Sequence, residues 1–411
     1  MKRRDFVACC GLAGSLLSTG LTAGQSGAQA VPDHPIRGQF PRMGEEIYLN
    51  AASMMPLGTF TQRGVQHYMA YQQLGEASGQ HDYIETMLKD IRGRFAAMIG
   101  AGEREVGLVH CTKAGEQIAL DAVDAVRKGG NIVTNDLHFS GSLHNLLGMR
   151  KAGRDVRIVK ARDWKVPLEE MEKAIDGHTA LVAVSLISNV NGHIEDMAAL
   201  SQMAHRHGAL VYADMVQAAG VLPIDVDAMG IDVAACSTYK WLYGVFGAGF
   251  VYVRQNLQGT KIPDRMYPGR VHYNYAPWTA EVAKDKPELG IELCGDATRY
   301  QPGHVSYMGY CGAYEGLKFL DRVGVNAAQH HSVTLNQRLK DQLDPKRYRC
   351  IATHVSQSPI ITFLSEDGAA LKKRLKAANL VVTIIGNRVR ISPAMYNTEA
   401  DIDALAQAMN A

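Results

Sequence analysis

Lys240 stands between two apolar runs, and this placement is the first sign of chemistry in the sequence. The stretch CSTYKWLYGVFGAGFVYVR, residues 236–254, begins inside the small, apolar run VAACS and ends in a second apolar run. A lysine buried between two strands loses hydration, which lowers the pKa of its amine and makes the amine a nucleophile. A surface lysine on a turn, with its ammonium in water, is the alternative that this stretch alone leaves open.

Polar side chains also follow three other apolar runs. Asp214 ends ALVYAD and Gln217 comes three residues later, Asn189 follows ALVAVSLIS, and His138 stands in the loop after NIVTN. An aspartate that closes an apolar strand needs a cation or several donors, because burial of a lone carboxylate is costly. Capping of a following helix is the alternative for Asp214, and a lone loop histidine usually has only a hydrogen-bonding role.

The turn Thr112-Lys113-Ala114-Gly115 follows the apolar run VGLVH and opens a predicted helix. Free backbone N–H groups at a helix start bind anions, and small residues let a phosphate come close. An ordinary N-cap by Thr112 is the alternative. The turn matches neither GxGxxG nor GxxxxGK[ST], so a nucleotide is not indicated.

The apolar runs alternate with amphipathic helices, such as TKAGEQIALDAVDAVRKGG and EDMAALSQMAHRHG. The runs are almost continuously apolar, which is typical of strands covered on both faces. Strand–helix–strand repetition predicts an α/β fold with a doubly wound, mostly parallel sheet. Ligands bind such sheets beyond the carboxyl ends of the strands, where the polar side chains above are expected to lie.

These residues together meet the needs of pyridoxal 5'-phosphate. The cofactor needs a lysine for its aldehyde and a carboxylate that keeps its pyridine nitrogen protonated. It also needs a flat ring against its face and a cup of dipoles for its phosphate. The sequence offers Lys240 after the hydroxyls of Ser237, Thr238 and Tyr239, with Asp214 26 residues upstream. We therefore predict a pyridoxal-phosphate site.

The N-terminus predicts an export signal. Residues 1–30 contain Lys2, Arg3 and Arg4, an apolar middle and the small-x-small site Ala28-Gln29-Ala30. The segment is too short and too rich in Gly and Ser for a membrane span. The Arg pair followed by Asp-Phe resembles a twin-arginine signal, which is read by the Tat export machinery. We expect cleavage after Ala30 and a periplasmic mature protein without membrane attachment.

Composition excludes several classes of protein. The whole sequence has 43 Lys and Arg residues and 41 Asp and Glu residues. Residues 1–30 contain three of the basic residues and one of the acidic ones, so the mature chain has no net charge when histidine is neutral. Nucleic-acid binding is therefore not expected. Five of the seven cysteines lie in the mature chain; they are scattered and form no CxxC, so they predict neither a disulfide framework nor a zinc knuckle. His205 and His207 are two apart on a predicted helix and HExxH is absent, so a metal-dependent hydrolase is a poor alternative and no metal ligands are predicted.

The chain resembles the class V aminotransferase family of fold-type I pyridoxal-phosphate enzymes, which includes cysteine desulfurases, selenocysteine lyases and isopenicillin-N-epimerase-like proteins. The resemblance covers nearly all of the mature chain. The matching stretches are YLNAAS (48–53), TKAGEQIAL (112–120), SNVNG (188–192), ADMVQAAG (213–220), CSTYKWLYG (236–244), YQPGHVSYMG (300–309) and VRISPAMYNTEADID (389–403).

The resemblance implies roles for the matching positions. Lys240 would form the Schiff base, Asp214 would pair with the pyridine nitrogen, and Gln217 would reach the phenolic oxygen. Asn189 would face the same oxygen or the substrate, and His138 would stack on the ring. The phosphate would be held by Ser237, Tyr239, Lys113, Ala114 and Gly115, and the substrate by Arg390, which suits a carboxylate, and by Asn50.

Three positions depart from the family pattern. The phosphate turn lacks the usual Thr, so the backbone and Lys113 would do more of the holding. His304 stands where relatives carry a Thr that reaches the phosphate of the neighbouring subunit. The segment NLVVTIIGNRVR, residues 379–390, has no cysteine to take up sulfur, so cysteine desulfurase activity is not expected.

The resemblance implies a large domain at 55–300, which binds the cofactor, and a small domain at 301–411, with residues 31–54 packed against the small domain. A homodimer is expected, with the YQPGH segment and the aromatic residues of 265–280 (Tyr267, Tyr273, Tyr275 and Trp278) as the residues that reach across; ordinary packing is the alternative for this cluster.

The expected reaction is transamination, epimerisation or lyase chemistry on an amino acid. The export signal also resembles that of a periplasmic pyridoxal-phosphate enzyme that tailors a glutamyl side chain of the siderophore pyoverdine, so a secreted peptide siderophore is an alternative substrate. A non-catalytic exported homologue that binds a ligand is the second alternative.

Overall fold

A seven-stranded sheet forms the centre of the fold, and its strands are the apolar runs of the sequence. The computed structural model describes residues 35–264, 271–273, 291–355 and 357–411, with the backbone alone at 271–273 and 291–293. The strands of this sheet are β2 (Val106–Val109), β3 (Asn131–Asn135), β4 (Val156–Val159), β5 (Thr179–Ser185), β6 (Leu210–Asp214), β7 (Val233–Ser237) and β8 (Gly249–Val253).

The strand order is β2-β8-β7-β6-β5-β3-β4, and only β8 runs antiparallel to its neighbours. The remaining pairs in the order from β7 to β4 are parallel. The carboxyl ends of β5, β6 and β7 therefore lie side by side, with Ser185 opposite Asp214 and Asp214 opposite Ala235. This sheet confirms the predicted α/β, mostly parallel architecture.

Helices cover both faces of the sheet. Along β5, Leu181 and Ala183 face one apolar cluster, whereas Val182 and Val184 face the other. The first cluster is covered by α3 (Thr112–Asp121), α4 (Val123–Val126) and α5 (Ser140–Lys151). The second is covered by α1 (Thr59–Leu74), α2 (His81–Met98), α6 (Leu168–Ala174), α7 (Met197–Arg206) and α8 (Tyr307–Val323). Burial on both faces explains why the strands are apolar throughout.

A smaller antiparallel sheet with its own apolar core lies in the C-terminal part of the chain. Its order is β11-β12-β15-β14, and helices pack on it around Leu335, Phe363 and Leu405. The strands are β11 (Tyr348–Cys350), β12 (Ile361–Ser365), β14 (Thr383–Ile385) and β15 (Arg388–Ile391), and the helices are α9 (Val325–Gln342), α10 (Gly368–Ala377) and α11 (Glu399–Asn410). The smaller C-terminal domain of the predicted fold is thus present.

The segment before α1 packs against the C-terminal part of the chain. Strand β1 (Ile47–Tyr48) pairs in parallel with β13 (Leu380–Val381), and Arg37 forms an ion pair with Asp401 at 2.7 Å. Helix α8, which follows residue 300, packs against α1 and α2. The boundary at residue 300 stays a prediction.

Parts of the sequence-based prediction lie outside the described residues. They are the signal segment 1–30 and the aromatic side chains of Tyr267, Tyr273, Tyr275 and Trp278. The short strands β9 (Val271–Tyr273) and β10 (Ile291–Leu293) are described by their backbone and pair antiparallel. Within the part of the chain that is described, every helix falls short of the length and apolarity that crossing a bilayer requires.

Candidate active site

Lys240 lies in a turn that leaves the carboxyl end of β7. The turn is held by its backbone, because the Thr238 N–H donates to Ala248 O at 3.0 Å and the Gly244 N–H donates to Thr238 O at 2.8 Å. The lysine is only 6% exposed. Among the described residues, no carboxylate lies within ion-pair distance of its Nζ. The structure therefore rules out the surface-lysine alternative.

The electrostatic surroundings make the Lys240 amine easier to deprotonate. Its pKa is lowered to about 8: burial is the largest cause, the charge of Asp214 opposes it, and the charge of Arg390 adds to it. The Nζ lies 5.6 Å from the centre of the Tyr239 ring. A lysine with this pKa presents far more free amine near neutral pH than an exposed lysine does.

Asp214 is the last residue of β6 and is 2% exposed. Its Oδ1 accepts the N–H of Val216 at 2.9 Å, so the carboxylate closes a tight turn instead of capping a helix. Burial raises the pKa of Asp214, and the proximity of His138, the Val216 N–H and Lys240 opposes this rise. The three side chains therefore lie near one another, and their roles toward the cofactor stay predictions.

His138 follows β3 and is 1% exposed. Its Nδ1 lies 2.8 Å from Ser185 Oγ, at the carboxyl end of β5. Its Nε2 is buried and has no hydrogen-bond partner among the described residues. The sequence did not indicate Ser185, because a serine at the end of an apolar run carries no pattern of its own.

Helix α3 begins where the phosphate turn was predicted, but its N-cap is Cys111 and Thr112 is its first residue. The Thr112 N–H donates to Ser237 Oγ at 2.8 Å, and the Ser237 N–H donates to Thr112 Oγ1 at 2.9 Å. These reciprocal bonds join the start of α3 to the end of β7. A Cβ at Gly115 would lie 2.5 Å from the Cβ of Ala235, so only glycine lets the helix approach this closely.

Three predicted cofactor residues have partners within the protein. The Gln217 amide donates to Ala52 O at 2.9 Å and accepts from Trp241 Nε1 at 2.9 Å. The Tyr239 ring stacks on Phe246 at 4.2 Å between centroids. The Lys113 ammonium forms an ion pair with Glu116, so its predicted contact with a phosphate stays a prediction.

Arg390, on β15, joins the smaller sheet to the site. It donates to Asn189 O at 2.9 Å, Ser53 Oγ at 2.6 Å and Thr383 Oγ1 at 3.1 Å, and Asn50 Oδ1 lies 3.4 Å away. All of these acceptors are neutral. Burial, with the charge of Arg388, lowers the pKa of Arg390 to about 10. Ser53 and Thr383 were missed by sequence reasoning, since hydroxyls on loops and short strands have no distinguishing pattern.

His304 lies elsewhere. It is exposed, its Nδ1 is 3.1 Å from the Tyr307 hydroxyl, and it lines a cavity of about 690 Å³ together with Arg92. No contact within the described part of the chain joins His304 to Lys240 or to the start of α3. Its predicted contact with the phosphate of a neighbouring subunit stays a prediction.

The residues around Lys240 fit pyridoxal phosphate. Of the buried polar atoms that have no partner among the described residues, Asn189 Oδ1 and Arg390 Nε lie beside this site. Unsatisfied buried polar atoms are rare and commonly mark the place of a ligand. A buried amine with a lowered pKa, a buried carboxylate and a helix start beside Ser237 form the set of groups that this cofactor requires. The fold and this site define a pyridoxal-phosphate enzyme.

Comparison with known proteins agrees with this class. The family model described as aminotransferase class V matches residues 47–405. The chain therefore belongs to the class V aminotransferase family. The probable cysteine desulfurase of Methanothermobacter thermautotrophicus is 27% identical over 308 residues, 74% of each chain. The uncharacterized aminotransferase YcbU of Bacillus subtilis is 25% identical over 366 residues, 88% of this chain and 93% of the relative.

Solved structures share the fold at lower identity. The cysteine desulfurase CsdA from Escherichia coli is 20% identical with a TM-score of 0.77, and the match covers 93% of this chain and 98% of CsdA. The cystine C-S lyase C-DES, in complex with its reaction product cysteine persulfide, is 20% identical with a TM-score of 0.78, covering 90% and 99%. The relatives thus include cysteine desulfurases, whereas the 379–390 segment of this chain has no cysteine.

Proposed function

We propose that this enzyme acts on the amino group and α-carbon of an amino acid, or of a metabolite that contains one, by aminotransferase, epimerase or lyase chemistry. The observation that carries the proposal is the arrangement of Lys240, Asp214 and Arg390. A buried amine with a pKa of about 8 and a buried guanidinium with only neutral acceptors among the described residues lie close enough to influence each other.

Each of these side chains has a separate task. When bound, pyridoxal phosphate supplies an aldehyde for amines and a ring that stabilises negative charge at the α-carbon. Lys240 Nζ would attach the cofactor and, when free, would carry the α-proton. Asp214 would keep a proton on the pyridine nitrogen, and Arg390 would bind the substrate carboxylate through its N–H groups. Ser237 and the start of α3 would hold the phosphate.

The test is direct. The purified protein should show a visible absorbance band that borohydride abolishes, and peptide mapping should then find the reduced cofactor on Lys240. A panel of amino acids should next be assayed for keto acid, for the opposite enantiomer and for eliminated side chains. A protein that shows no band after incubation with pyridoxal phosphate would favour the non-catalytic alternative.

We further propose that the enzyme is not a cysteine desulfurase. That reaction needs a thiolate that takes sulfur from the substrate, and residues 379–390 provide none. Burial raises the pKa of the thiols of Cys236, Cys311 and Cys350. Incubation with cysteine, alkylation and mass spectrometry should find no persulfide on the protein; a persulfide on any cysteine would contradict the proposal.

Export and assembly are also proposals. The Arg3-Arg4 motif supports Tat export, cleavage after Ala30 and a periplasmic location. Fractionation of cells that carry the wild type or an Arg3→Lys, Arg4→Lys variant tests this, because the variant should stay inside the cell. The same motif favours the second substrate class, a glutamyl side chain of a secreted peptide siderophore. Sedimentation analysis tests the proposed homodimer.

A further inference from the structure

Glu116 is a buried carboxylate near the start of α3 that the proposed chemistry does not use. It is 1% exposed. One oxygen, Oε2, accepts from Ser142 Oγ at 3.0 Å and forms an ion pair with Lys113. The other oxygen, Oε1, is buried without a hydrogen-bond partner among the described residues. It lies 3.7 Å from His138 Nε2, which also has no partner there.

The opposite edge of the imidazole indicates which nitrogen carries the proton. Ser185 Oγ accepts the Phe139 N–H at 3.2 Å and lies 2.8 Å from His138 Nδ1. A hydroxyl has one hydrogen to donate, and within the described structure Nδ1 is the acceptor in reach. With Nδ1 as the acceptor, the hydrogen of the uncharged form of the ring lies on Nε2, which faces Glu116 Oε1.

Charge reinforces this assignment. The titratable groups that face His138 are Glu116, Asp214 and, through its ion pair with Glu116, Lys113. Burial opposes ionisation of Glu116, but the proximity of His138 and Lys113 keeps the pKa of this carboxyl below its usual value. Glu116 is therefore an anion at neutral pH and attracts the hydrogen on Nε2.

The 3.7 Å distance exceeds that of a hydrogen bond. Catalytic hydrogen bonds are often long in sites without ligand and shorten when the reacting complex forms. Oε1 and Nε2 are both unsatisfied, so a small rotation of either side chain would satisfy two buried polar atoms at once.

We propose that Glu116 is a positioning residue that holds the His138 ring through its Nε2–H, while Ser185 holds Nδ1. Together the two groups fix the tautomer and the plane of the ring. The proposal rests on the proposed function only for its consequence in catalysis, in which His138 would lie against the bound cofactor. It assigns no bond-making step to Glu116.

The experiment measures the tautomer of His138 by nitrogen NMR on the full chain labelled with ¹⁵N-histidine, with and without added pyridoxal phosphate. His138→Gln identifies the resonances. The wild type should show hydrogen on Nε2 alone. Glu116→Gln should give a mixture of tautomers, while Glu195→Gln should match the wild type, because it neutralises another buried carboxylate, which accepts from Asn135 and does not face His138.

Two further measurements complete the test. Ser185→Ala should keep the hydrogen on Nε2, since Glu116 still attracts it. Glu116→Gln should lower kcat roughly tenfold at an unchanged KM, because a misplaced His138 ring would orient the reacting groups less well without removing a contact to the substrate. Two outcomes would overturn the proposal. The first is hydrogen on Nδ1 in the wild type, a measurement that does not depend on the folding of any variant. The second is hydrogen on Nε2 alone in Glu116→Gln, as in the wild type. Absence of a borohydride-sensitive cofactor would instead refute the proposed function and leave the tautomer result intact.

Discussion

Arg390 is a cation that the fold buries beside neutral hydrogen-bond acceptors. Burial of a charge without a partner costs folding free energy, and proteins usually pair such groups with carboxylates. Arg390 instead meets Asn189 O, Ser53 Oγ and Thr383 Oγ1. A guanidinium held by neutral acceptors keeps its attraction for an incoming anion, which is the property that a carboxylate-binding residue needs.

Replacement of Lys240 by Ala should abolish the borohydride-sensitive absorbance and nearly all activity, because it removes the buried amine near Asp214 that would attach the cofactor. Since the wild-type amine is buried without an ion pair, the free energy of unfolding of the variant should equal or exceed that of the wild type. Lys240→Arg keeps the charge and serves as the control. A Lys240→Ala protein that still bears reduced cofactor after borohydride would contradict the assignment.

The pKa of Lys240 predicts two pH dependences. The amine loses its proton near pH 8 in the folded chain and near 10.5 when unfolded. The unfolded chain therefore binds more protons between these values, and the stability of the cofactor-free wild type relative to Lys240→Met should rise over that range. The rate of cofactor attachment should rise through about pH 8. Stopped-flow absorbance measures the rate of attachment, and urea unfolding measures the stability. If neither quantity changed with pH as described, Lys240 would have the pKa of an exposed lysine.

Arg390→Lys should raise KM for amino acids roughly tenfold to a hundredfold, because a charged hydrogen bond contributes about 1.5–3 kcal/mol and the ammonium lacks the planar fork. An amine substrate without a carboxylate provides the control and should be processed equally by both proteins. Equal KM values for amino acids in the two proteins would show that Arg390 does not bind the carboxylate.

At the scale of elements, the loop between β5 and α7 connects the two sheets. Asn191 donates to Ile351 O at 3.2 Å, Thr362 Oγ1 donates to Val190 O at 3.3 Å, and the Ile194 N–H donates to His354 Nδ1 at 3.2 Å. These bonds attach the loop to the small-sheet side. The loop thereby presents Asn189 O to the Arg390 guanidinium.

Gly192→Ala tests this loop. Gly192 has a φ of +77°, and a Cβ there would lie 2.3 Å from Ile360 O. The backbone conformation alone costs about 1–3 kcal/mol for a residue with a side chain, and the clash forces the loop away from the small sheet. Gly129→Ala is the matched control, because Gly129 has a φ of +70° with nothing within 4 Å. Gly192→Ala should lower the free energy of unfolding and raise KM more than Gly129→Ala does, as measured by urea unfolding and steady-state kinetics. Equal effects of the two substitutions would show that the close approach to Ile360 does not position the loop.

The sequence predicts the elements well because burial on both faces demands apolar strands, and strand direction then places Asp214 and Lys240 together. It does not predict contacts that depend on tertiary packing. Glu116 looks like any helical glutamate until the fold turns it toward His138. The helix predicted after Thr112 is interrupted at Ala122, and Cys111 replaces Thr112 as its N-cap, which local propensity could not resolve.

At the scale of the molecule, the site draws on three parts of the chain that are distant in sequence. The segment before α1 supplies Asn50 and Ser53, the ends of the large sheet supply Asp214 and Lys240, and the small sheet supplies Arg390. A ligand that contacts groups from separate parts stabilises only the state in which those parts are packed together.

Pyridoxal phosphate should therefore stabilise the whole chain. Free cofactor at a hundredfold excess over its Kd contributes about 2.7 kcal/mol for one site. Calorimetry should show one unfolding transition that moves to higher temperature on cofactor loading, with a smaller shift in Lys240→Ala, which binds without the covalent link. A control ligand, pyridoxine, lacks the aldehyde and the phosphate and should shift neither protein. Two unfolding transitions, of which only one moves on cofactor loading, would show that the parts of the chain around the large and the small sheet unfold independently and that the site does not couple them.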